Sequence, residues 1–264
     1  MEQENPLLNT SHHLNPYGYA YHMVKDRLKW ELSGYAFDSK RKLKALKNKY
    51  KGEKAVIMCN GPSLNKVDFK LLGNVFTFGL NKINLLFDRS EFRPSAIVAV
   101  NSYVIEQNKD FYNYTDIPVF LDSKGHQIIK KRNKVTFLHS TPVKTFVRDC
   151  SISISQGGTV TFVAMELAFH MGFTEVALVG CDHYFNSKGP LNTLVKSGKE
   201  DSDHFDSRYF AGGQLWQLPD LPQSEYSYYL ADNAFKTHGR KIYNATDGGH
   251  LEIFERIALK DFLS

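Results

Sequence analysis

Short apolar runs recur along the chain from residue 54 onwards, and polar residues follow most of them. Each run has the length and continuous apolar character of a strand that is buried on both faces of a parallel sheet. The predicted strands are residues 55–59, 75–80, 96–100, 118–121, 135–138, 176–180 and 241–243. The intervals between several of them leave room for helices, as in βαβ units. The pattern therefore predicts an α/β, Rossmann-like fold with a mostly parallel, doubly wound sheet.

Two segments between or after these strands show helical character. Residues 159–171 carry apolar side chains at helical spacing, and Gly172 follows as a C-terminal stop. A second helix is predicted from the N-cap Ser224 to Gly239. Residues 184–223 are rich in Gly, Pro, Ser and Asp and show no regular pattern. A segment that long without a pattern predicts a lid or a substrate loop.

The N-terminal part of the chain predicts an attachment to this core. Residues 1 to about 18 predict a loose arm, and residues 19–50 predict helix. The expected docking residues of that helix are Met23, Leu28, Leu32 and Phe37. We therefore divide the chain into an N-terminal arm and basic helical appendage, residues 1–50, and a Rossmann-like domain, residues 51–264.

Charge narrows the range of partners. The net charge is +5, and much of the excess lies between Lys40 and Lys54. Such a basic run predicts either a solvated helix face or a contact with an anionic partner, such as a membrane surface or a phosphorylated substrate. Nucleic acid is not expected as a partner, because the chain has no zinc-finger spacing, no RNA-recognition aromatic motif and no helix-turn-helix signature.

Cysteine usage and the N-terminal residues predict the compartment. Cys59, Cys150 and Cys181 are too few and too scattered for a disulfide framework or a C-x-x-C metal site. The N-terminal residues are acidic and polar, where a signal peptide would be basic and then apolar. No apolar run approaches the ~18 residues that a membrane-spanning helix needs. We expect a cytoplasmic protein with peripheral contact at the inner membrane face through its basic run.

Asparagines follow the predicted strands, at the position where open parallel sheets bind ligands. Asn60, Asn81 and Asn101 follow the first three strands, and Asn244 follows the last. A carboxamide both donates and accepts hydrogen bonds, which suits base edges, ribose hydroxyls and phosphate oxygens. The alternative for each residue is a turn or a cap of the next helix. Their repetition along one edge favours a binding site.

Two loops offer backbone amides to an anion. In the Asn60–Ser63 loop, Gly61 permits close backbone approach and Pro62 fixes the turn. Gly157, Gly158 and Thr159 immediately precede the strongest helix, whose N-terminus would attract a phosphate. The alternative for the second loop is an ordinary glycine turn with Thr159 as N-cap.

Histidines near carboxylates are the acid–base candidates. His183 and Asp182 end a predicted strand, and His204 lies in the predicted lid between Asp203 and Phe205. Histidine titrates near neutral pH and can accept a proton from a sugar hydroxyl. We favour His204, for which the alternative is an exposed loop histidine. Asp182 fits a metal or ribose ligand, or a cap of the following turn, and metal dependence stays open.

Taken together, these motifs resemble the MptE-like family, named for 6-hydroxymethylpterin diphosphokinase, and especially its bacterial members associated with surface-glycan synthesis. The resemblance extends from residue 54 to the C-terminus. The same region is similar to the core of the Maf flagellin glycosyltransferases and, more remotely, to small bacterial sialyltransferases that use CMP-sialic acid. The motifs that carry the resemblance are Asn60–Leu64, Phe78–Ile83, Gly157–Thr161, Val179–His183, Asp203–Phe205 and Gly239–Thr246.

The resemblance implies that residues 51–264 are a nucleotide-sugar-binding catalytic domain. Such a glycosyltransferase would move a sugar from a nucleotide-activated donor, most simply a CMP-linked one, to a surface-glycan or glycolipid acceptor, with no metal cofactor required. It implies donor contacts for Asn60, Asn81, Asn101 and Tyr184, and a general-base role for His204.

Two alternatives stay open beside the glycosyltransferase. The first is a magnesium-dependent 6-hydroxymethylpterin diphosphokinase, in which Asp182, Asp201 and Asp203 would hold the metal. The second is a nucleotide-sugar-binding module without catalysis, which would keep the asparagines and need no base.

Overall fold

The computed structural model of the protein describes residues 15–187 and 189–264. Most of the predicted N-terminal arm, residues 1–14, lies outside the described residues. The described chain begins with two helices, α1 (Pro16–Glu31) and α2 (Gly34–Leu46). The predicted boundary between residues 50 and 51 stays a proposal, and the helices before it contribute buried side chains to the core.

The centre of the molecule is a parallel sheet, as the apolar runs predict. All the predicted strands are confirmed, and a short edge strand at Glu255–Arg256 is added to them. The strands that form this sheet within the described residues are β1 (Lys54–Met58), β2 (Phe76–Leu80), β3 (Ala96–Ala99), β4 (Val119–Asp122), β5 (Val135–Leu138), β8 (Glu175–Val179), β11 (Lys241–Asn244) and β12 (Glu255–Arg256).

Strand order creates a switch point beside β1. The order across the sheet is β12-β11-β8-β1-β2-β3-β4-β5, and the neighbouring strands pair in parallel. The chain therefore builds the sheet outwards from β1 in one direction and later returns to the other side of β1 with β8. The connection after β1 leads to β2 and the connection after β8 leads to β11, on opposite sides, which is the topology that places ligands at the carboxyl ends of the strands.

The remaining elements cover the sheet or extend it. Two small two-stranded sheets pair β6 (Ser140–Thr141) with β7 (Ile154–Ser155), and β9 (Leu194–Lys196) with β10 (Leu215–Gln217). The later helices are α3 (Ser102–Gln107), α4 (Lys109–Tyr114), α5 (Val160–Met171), α6 (Leu221–Lys236) and α7 (Leu259–Leu263). Short 3₁₀ helices occupy Pro62–Lys66, Phe69–Leu72, Ile83–Asp88 and Ser123–Gln127.

Both faces of the sheet are buried, which explains the continuous apolar character of its strands. Ile57 and its face of the sheet pack against α5 and α6, whereas Val56 and Met58 pack on the opposite face against the 3₁₀ connections, α3 and α7. Helix α5 is buried along nearly its whole length. Among the described residues, no helix combines the length and apolar character needed to cross a bilayer.

The N-terminal helices dock differently from the prediction. The predicted helix over 19–50 is interrupted at Leu32 and Ser33, where Ser33 accepts a hydrogen bond from the Ala36 amide and caps α2. The prediction was wrong for Leu28, Leu32 and Phe37, which are exposed, whereas Met23 is half-buried. The buried side chains here are Trp30, Ala36, Ser39 and Leu43.

The helix predicted after Thr159 is confirmed, and the later one begins earlier than predicted. Thr159 caps α5, and Gly172 ends it in the left-handed conformation. Asp220 caps α6 by accepting the Gln223 amide at 3.0 Å. Ser224, the predicted N-cap, lies inside α6 and donates its hydroxyl to the Asp220 carbonyl.

Candidate functional site

A large cavity of about 970 Å³ follows the carboxyl edge of the sheet. Residues after successive strands line it in spatial order: Asp182 after β8, Asn60 after β1, Asn81 after β2, Asn101 after β3 and His139 after β5. Neighbouring strands lie ~4.8 Å apart, so the edge from β8 to β5 measures roughly 24 Å. The cavity is long enough for a ligand of several rings.

The cavity has walls from three separate parts of the chain. The lid segment contributes His204 and Trp216, the turn before α5 contributes Gly157 and Gly158, and α1 contributes its inward face. Helix α1, which the sequence suggested was an appendage, thus forms part of the cavity wall. The lid itself carries the β9–β10 hairpin.

Two of the predicted asparagines carry unsatisfied oxygen atoms in this cavity. The Oδ1 atoms of Asn60 and Asn81 are buried and have no hydrogen-bond partner in the described part of the chain. Asn81 also adopts a positive φ of 48°, in the left-handed region that asparagine tolerates better than most residues. A buried polar atom without a partner costs roughly 1–3 kcal/mol, so these atoms mark positions where a ligand would be bound.

Asn101 differs from the other two. Its Oδ1 accepts the amides of Tyr103 and Val104 and caps α3, which is the capping alternative considered above. The side chain still lines the cavity. Its amide nitrogen is therefore the group it can offer to a ligand.

The Asn60–Ser63 loop is locked to Asp182. The Asp182 carboxylate accepts the Ser63 hydroxyl at 2.7 Å and the Ser63 amide at 3.2 Å. A Cβ at Gly61 would lie 2.0 Å from Oδ2 of Asp182, so only glycine fits there. Ser63 is buried, and Pro62 faces a smaller cavity of about 140 Å³ rather than the main one. Ser63 and Pro62 thus shape the loop, and Asp182 anchors it.

The turn before α5 presents free amides to the cavity. Gly157 and Gly158 have positive φ angles of 58° and 79°. Their amides donate no hydrogen bond within the described ranges of the chain, and Thr159 caps the helix through its side chain. The free amides and the positive end of the α5 dipole lie together, which is the arrangement that binds phosphate groups.

The lid holds a His–Asp pair over the asparagines. Nδ1 of His204 lies 2.8 Å from Oδ2 of Asp201, and the imidazole stacks on the Tyr209 ring at 4.0 Å between centroids. The amide of Phe205 donates to the Asn60 carbonyl at 2.9 Å, which fixes this part of the lid above β1. Burial raises the pKa of Asp201, but hydrogen bonds from His204 and nearby amides outweigh it and leave the pKa below its usual value.

Lys82, which follows β2, connects the lid to the sheet through hydrogen bonds. Its Nζ donates to the Tyr209 carbonyl at 2.6 Å and to Oε1 of Gln214 at 2.7 Å. Burial lowers the pKa of Lys82 to about 8, although the Asp201 carboxylate acts in the opposite direction. The lid base is therefore a fixed structure rather than a loose loop.

Three other predicted residues have different surroundings. His183 lines the cavity, but its Nε2 lies 2.9 Å from Oε1 of Glu225. Tyr184 is about half exposed at the cavity mouth. Asn244 is buried away from the cavity, where it donates to the Leu251 carbonyl and accepts the Thr246 amide. Both polar groups of the Asn244 side chain are thus used inside the fold.

Each of the three predicted magnesium ligands accepts or shares a hydrogen bond with another side chain. Asp201 is bonded to His204, Asp182 to Ser63, and Asp203 to the Ser187 hydroxyl at 2.5 Å. Within residues 15–187 and 189–264, no group of three or more His, Cys, Asp or Glu side chains is arranged to hold a metal ion.

Strand-end reasoning could have found two residues that it missed. Asp122 ends β4 and His139 follows β5, and both line the cavity. Asp122 is buried and accepts the Ser140 hydroxyl at 2.5 Å and the Gln156 side-chain amide at 3.1 Å. The sequence did not indicate that α1 lines the cavity, because local sequence does not show against which part of a fold a helix packs.

A comparison with models of protein families finds one match. A family model described as 6-hydroxymethylpterin diphosphokinase MptE-like matches residues 35–188, more than half of the chain. The chain is similar in structure to a Maf glycosyltransferase from Magnetospirillum magneticum AMB-1, with 13% sequence identity and a TM-score of 0.49. That similarity covers 86% of this chain but only 39% of the Maf chain. No curated protein matches the sequence.

Proposed function

Since the chain belongs to the MptE-like family, we propose that it is a glycosyltransferase of that family. It moves a sugar from a nucleotide-activated donor, most simply a CMP-linked one, to a hydroxyl group of a surface glycan or glycolipid. The motifs shared with CMP-sialic acid enzymes motivate the choice of donor, and the cavity geometry supports the choice of reaction.

The observation that carries the proposal is the position of the His204–Asp201 pair relative to the two unsatisfied asparagines. The Asn60 and Asn81 oxygens call for hydrogen-bond donors, such as an exocyclic base amine or ribose hydroxyls. His204 is held beside them by the bond from Phe205 to Asn60. A nucleotide-sugar-binding module would need the unsatisfied asparagine oxygens but would not need the His204–Asp201 pair.

His204 has the geometry of a general base. The Asp201 carboxylate accepts a hydrogen bond from Nδ1, which places the ring proton there and leaves Nε2 free to accept another. In the proposed reaction the acceptor hydroxyl oxygen bonds to the anomeric carbon of the donor sugar. The bond from that carbon to the phosphate oxygen breaks, and the hydroxyl proton passes to Nε2 of His204. The electron pair leaves with the nucleotide phosphate.

The turn before α5 would stabilise that leaving group. The Gly157 and Gly158 amides and the α5 N-terminus act on negative charge that develops on the phosphate. A CMP leaving group carries a single phosphate, for which these donors supply stabilisation without a metal ion. Metal independence is therefore part of the proposal.

A membrane-associated acceptor is the proposed role of the basic run. Lys42 pairs with Asp38 at 2.7 Å and Lys47 with Asp149 at 2.6 Å, which removes part of the charge from that surface. Lys44, Lys49 and Lys51 are exposed and remain the groups that would face anionic lipid. The proposed membrane contact therefore involves only part of the basic run between Lys40 and Lys54.

Nucleotide-dependent thermal stabilisation tests the proposed function. Melting the protein with CMP, CDP, UDP, GDP and ATP, each with magnesium or with EDTA, reports binding to the native state. We expect CMP or CDP to raise the melting temperature equally in magnesium and in EDTA. At 100 times Kd the stabilisation would be about 2.7 kcal/mol. Stabilisation by ATP alone, and only with magnesium, would instead support the diphosphokinase that gives the family its description.

A further inference from the structure

A second His–Asp pair lies towards the β5 end of the cavity, away from Asn60 and Asn81. Nε2 of His139 lies 3.0 Å from Oδ2 of Asp26, which α1 provides. The His139 ring stacks against Trp30 at 5.7 Å between centroids. His139 is 8% exposed and lines the cavity.

The other ring nitrogen of His139 has no partner. Nδ1 is buried and makes no hydrogen bond within the described residues. The Asp26 carboxylate accepts from Nε2, so the ring proton lies on Nε2 and Nδ1 carries a lone pair. Burial lowers the pKa of His139, which favours this neutral form, although Asp26 opposes the shift. Nδ1 is thus a hydrogen-bond acceptor that lacks a donor.

The groups around this end of the cavity are acceptors and hydroxyls, together with the cations Lys124 and Lys144. Asp122, Ser140 and Thr141 line it beside His139. The cation of α1 at this end, Arg27, is already engaged with the Ile152 carbonyl and with Glu31. The unpartnered Nδ1 of His139 needs a ligand group that donates a hydrogen bond, which a carbohydrate hydroxyl can do and a fully ionised phosphate cannot.

The pair is separate from the proposed general base and from Asn60. His204 lies above β1 and β2, as its links to Asn60 and Lys82 through neighbouring lid residues show. His139 follows β5, three strand spacings from β2, or roughly 14 Å along the edge. A ligand that occupies both ends must extend beyond a nucleotide and one sugar ring.

We propose that His139, oriented by Asp26, forms a carbohydrate-binding subsite in which Nδ1 accepts a hydrogen bond from a sugar hydroxyl of the acceptor. The assignment of this sugar to the acceptor rests on the proposed glycosyltransferase function, whereas the subsite itself does not. Helix α1 then has a functional reason to line the cavity, because it provides the carboxylate that sets the tautomer of His139. Asp26 acts through His139 and is a positioning residue.

Carbohydrate titrations followed by NMR test the subsite. The probes are the methyl glycosides of galactose, glucose and N-acetylglucosamine, added to protein with ¹⁵N-labelled histidine, both with and without CMP. We expect at least one glycoside to shift the ring nitrogens of His139, and CMP alone to leave them unchanged. His139→Gln retains a group that reaches Asp26 but lacks an acceptor at the Nδ1 position, so glycoside affinity should fall roughly 3- to 10-fold.

Two variants separate a ligand role from a structural one. Asp26 is 65% exposed in its side chain, so Asp26→Asn should fold, and it should change the ¹⁵N tautomer signature of His139 and weaken the glycoside. His139→Asn places an acceptor near the Nδ1 position and should retain more affinity than His139→Gln. Equal affinity in the wild type and in His139→Gln would overturn the proposal.

The outcomes also distinguish this subsite from the proposed function. If CMP binds but no glycoside perturbs His139, the subsite is wrong and the donor site stands. If a glycoside perturbs His139 but no nucleotide binds, the subsite stands and the glycosyltransferase proposal fails.

Discussion

The His204→Ala variant is expected to lose roughly 10²- to 10⁴-fold in transfer rate, the usual contribution of a positioned general base. Nucleotide affinity should change little, because the proposed donor contacts belong to Asn60, Asn81 and the Gly157 turn. The rate is measured as CMP released from a CMP-sugar that the wild-type protein turns over in the presence of a glycan acceptor. The two effects together would separate catalysis from binding.

His238→Ala is the matched control for this loss. His238 is an exposed histidine after the end of α6, where it contacts Arg148 and the Ala234 carbonyl outside the cavity lining. Its replacement should leave the rate within about twofold, as expected of a surface substitution with a stability effect within ±0.5 kcal/mol. A His204→Ala protein that transfers at the wild-type rate would exclude His204 as the base and favour the binding-module alternative.

The Gly157→Ala variant is expected to lose about 2–5 kcal/mol of unfolding free energy. A Cβ at this position would lie 2.4 Å from Cδ1 of Phe162 and 2.8 Å from Oγ of Ser227, in a backbone conformation with φ of 58°. Overpacking costs about 1–3 kcal/mol. The left-handed conformation adds roughly 1–2 kcal/mol for a residue with a side chain. A thermal melt should show a decrease of roughly 5–15 °C.

Gly212→Ala separates the collision from the backbone strain. Gly212 also has a positive φ, of 76°, but a Cβ there meets nothing within 4 Å. It should therefore show only the strain, roughly 1–2 kcal/mol. If the two variants melt at the same temperature, the close packing of Gly157 against Phe162 and Ser227 does not hold that turn in place.

The strands of the sheet could be predicted because burial on both faces requires continuous apolar runs. Helix α5 could be predicted for a similar reason, since Thr159 and Gly172 define its ends locally. The N-terminus of α6 was predicted less accurately. Asp220 and Ser224 are both good N-caps, and only the packing of the chain selects Asp220.

The site was predicted in part, and its gaps have physical causes. The strand-end rule found Asn60 and Asn81, whose unsatisfied oxygens make them binding candidates. The same rule selected Asn244, which uses both polar groups within the fold, because residue type alone does not tell a ligand contact from an internal one. Asp26 could not be found, since its contact with His139 spans more than a hundred residues of sequence.

The most direct test of the account is calorimetric titration of CMP in EDTA. The wild-type protein is compared with the Asn60→Ala/Asn81→Ala double variant, whose unsatisfied oxygens are removed. We predict metal-free CMP binding by the wild type and a loss of roughly 5- to 150-fold in the double variant, which corresponds to two neutral hydrogen bonds. Equal CMP affinity in the two proteins, or binding of ATP with magnesium and no binding of CMP, would contradict the proposed donor site.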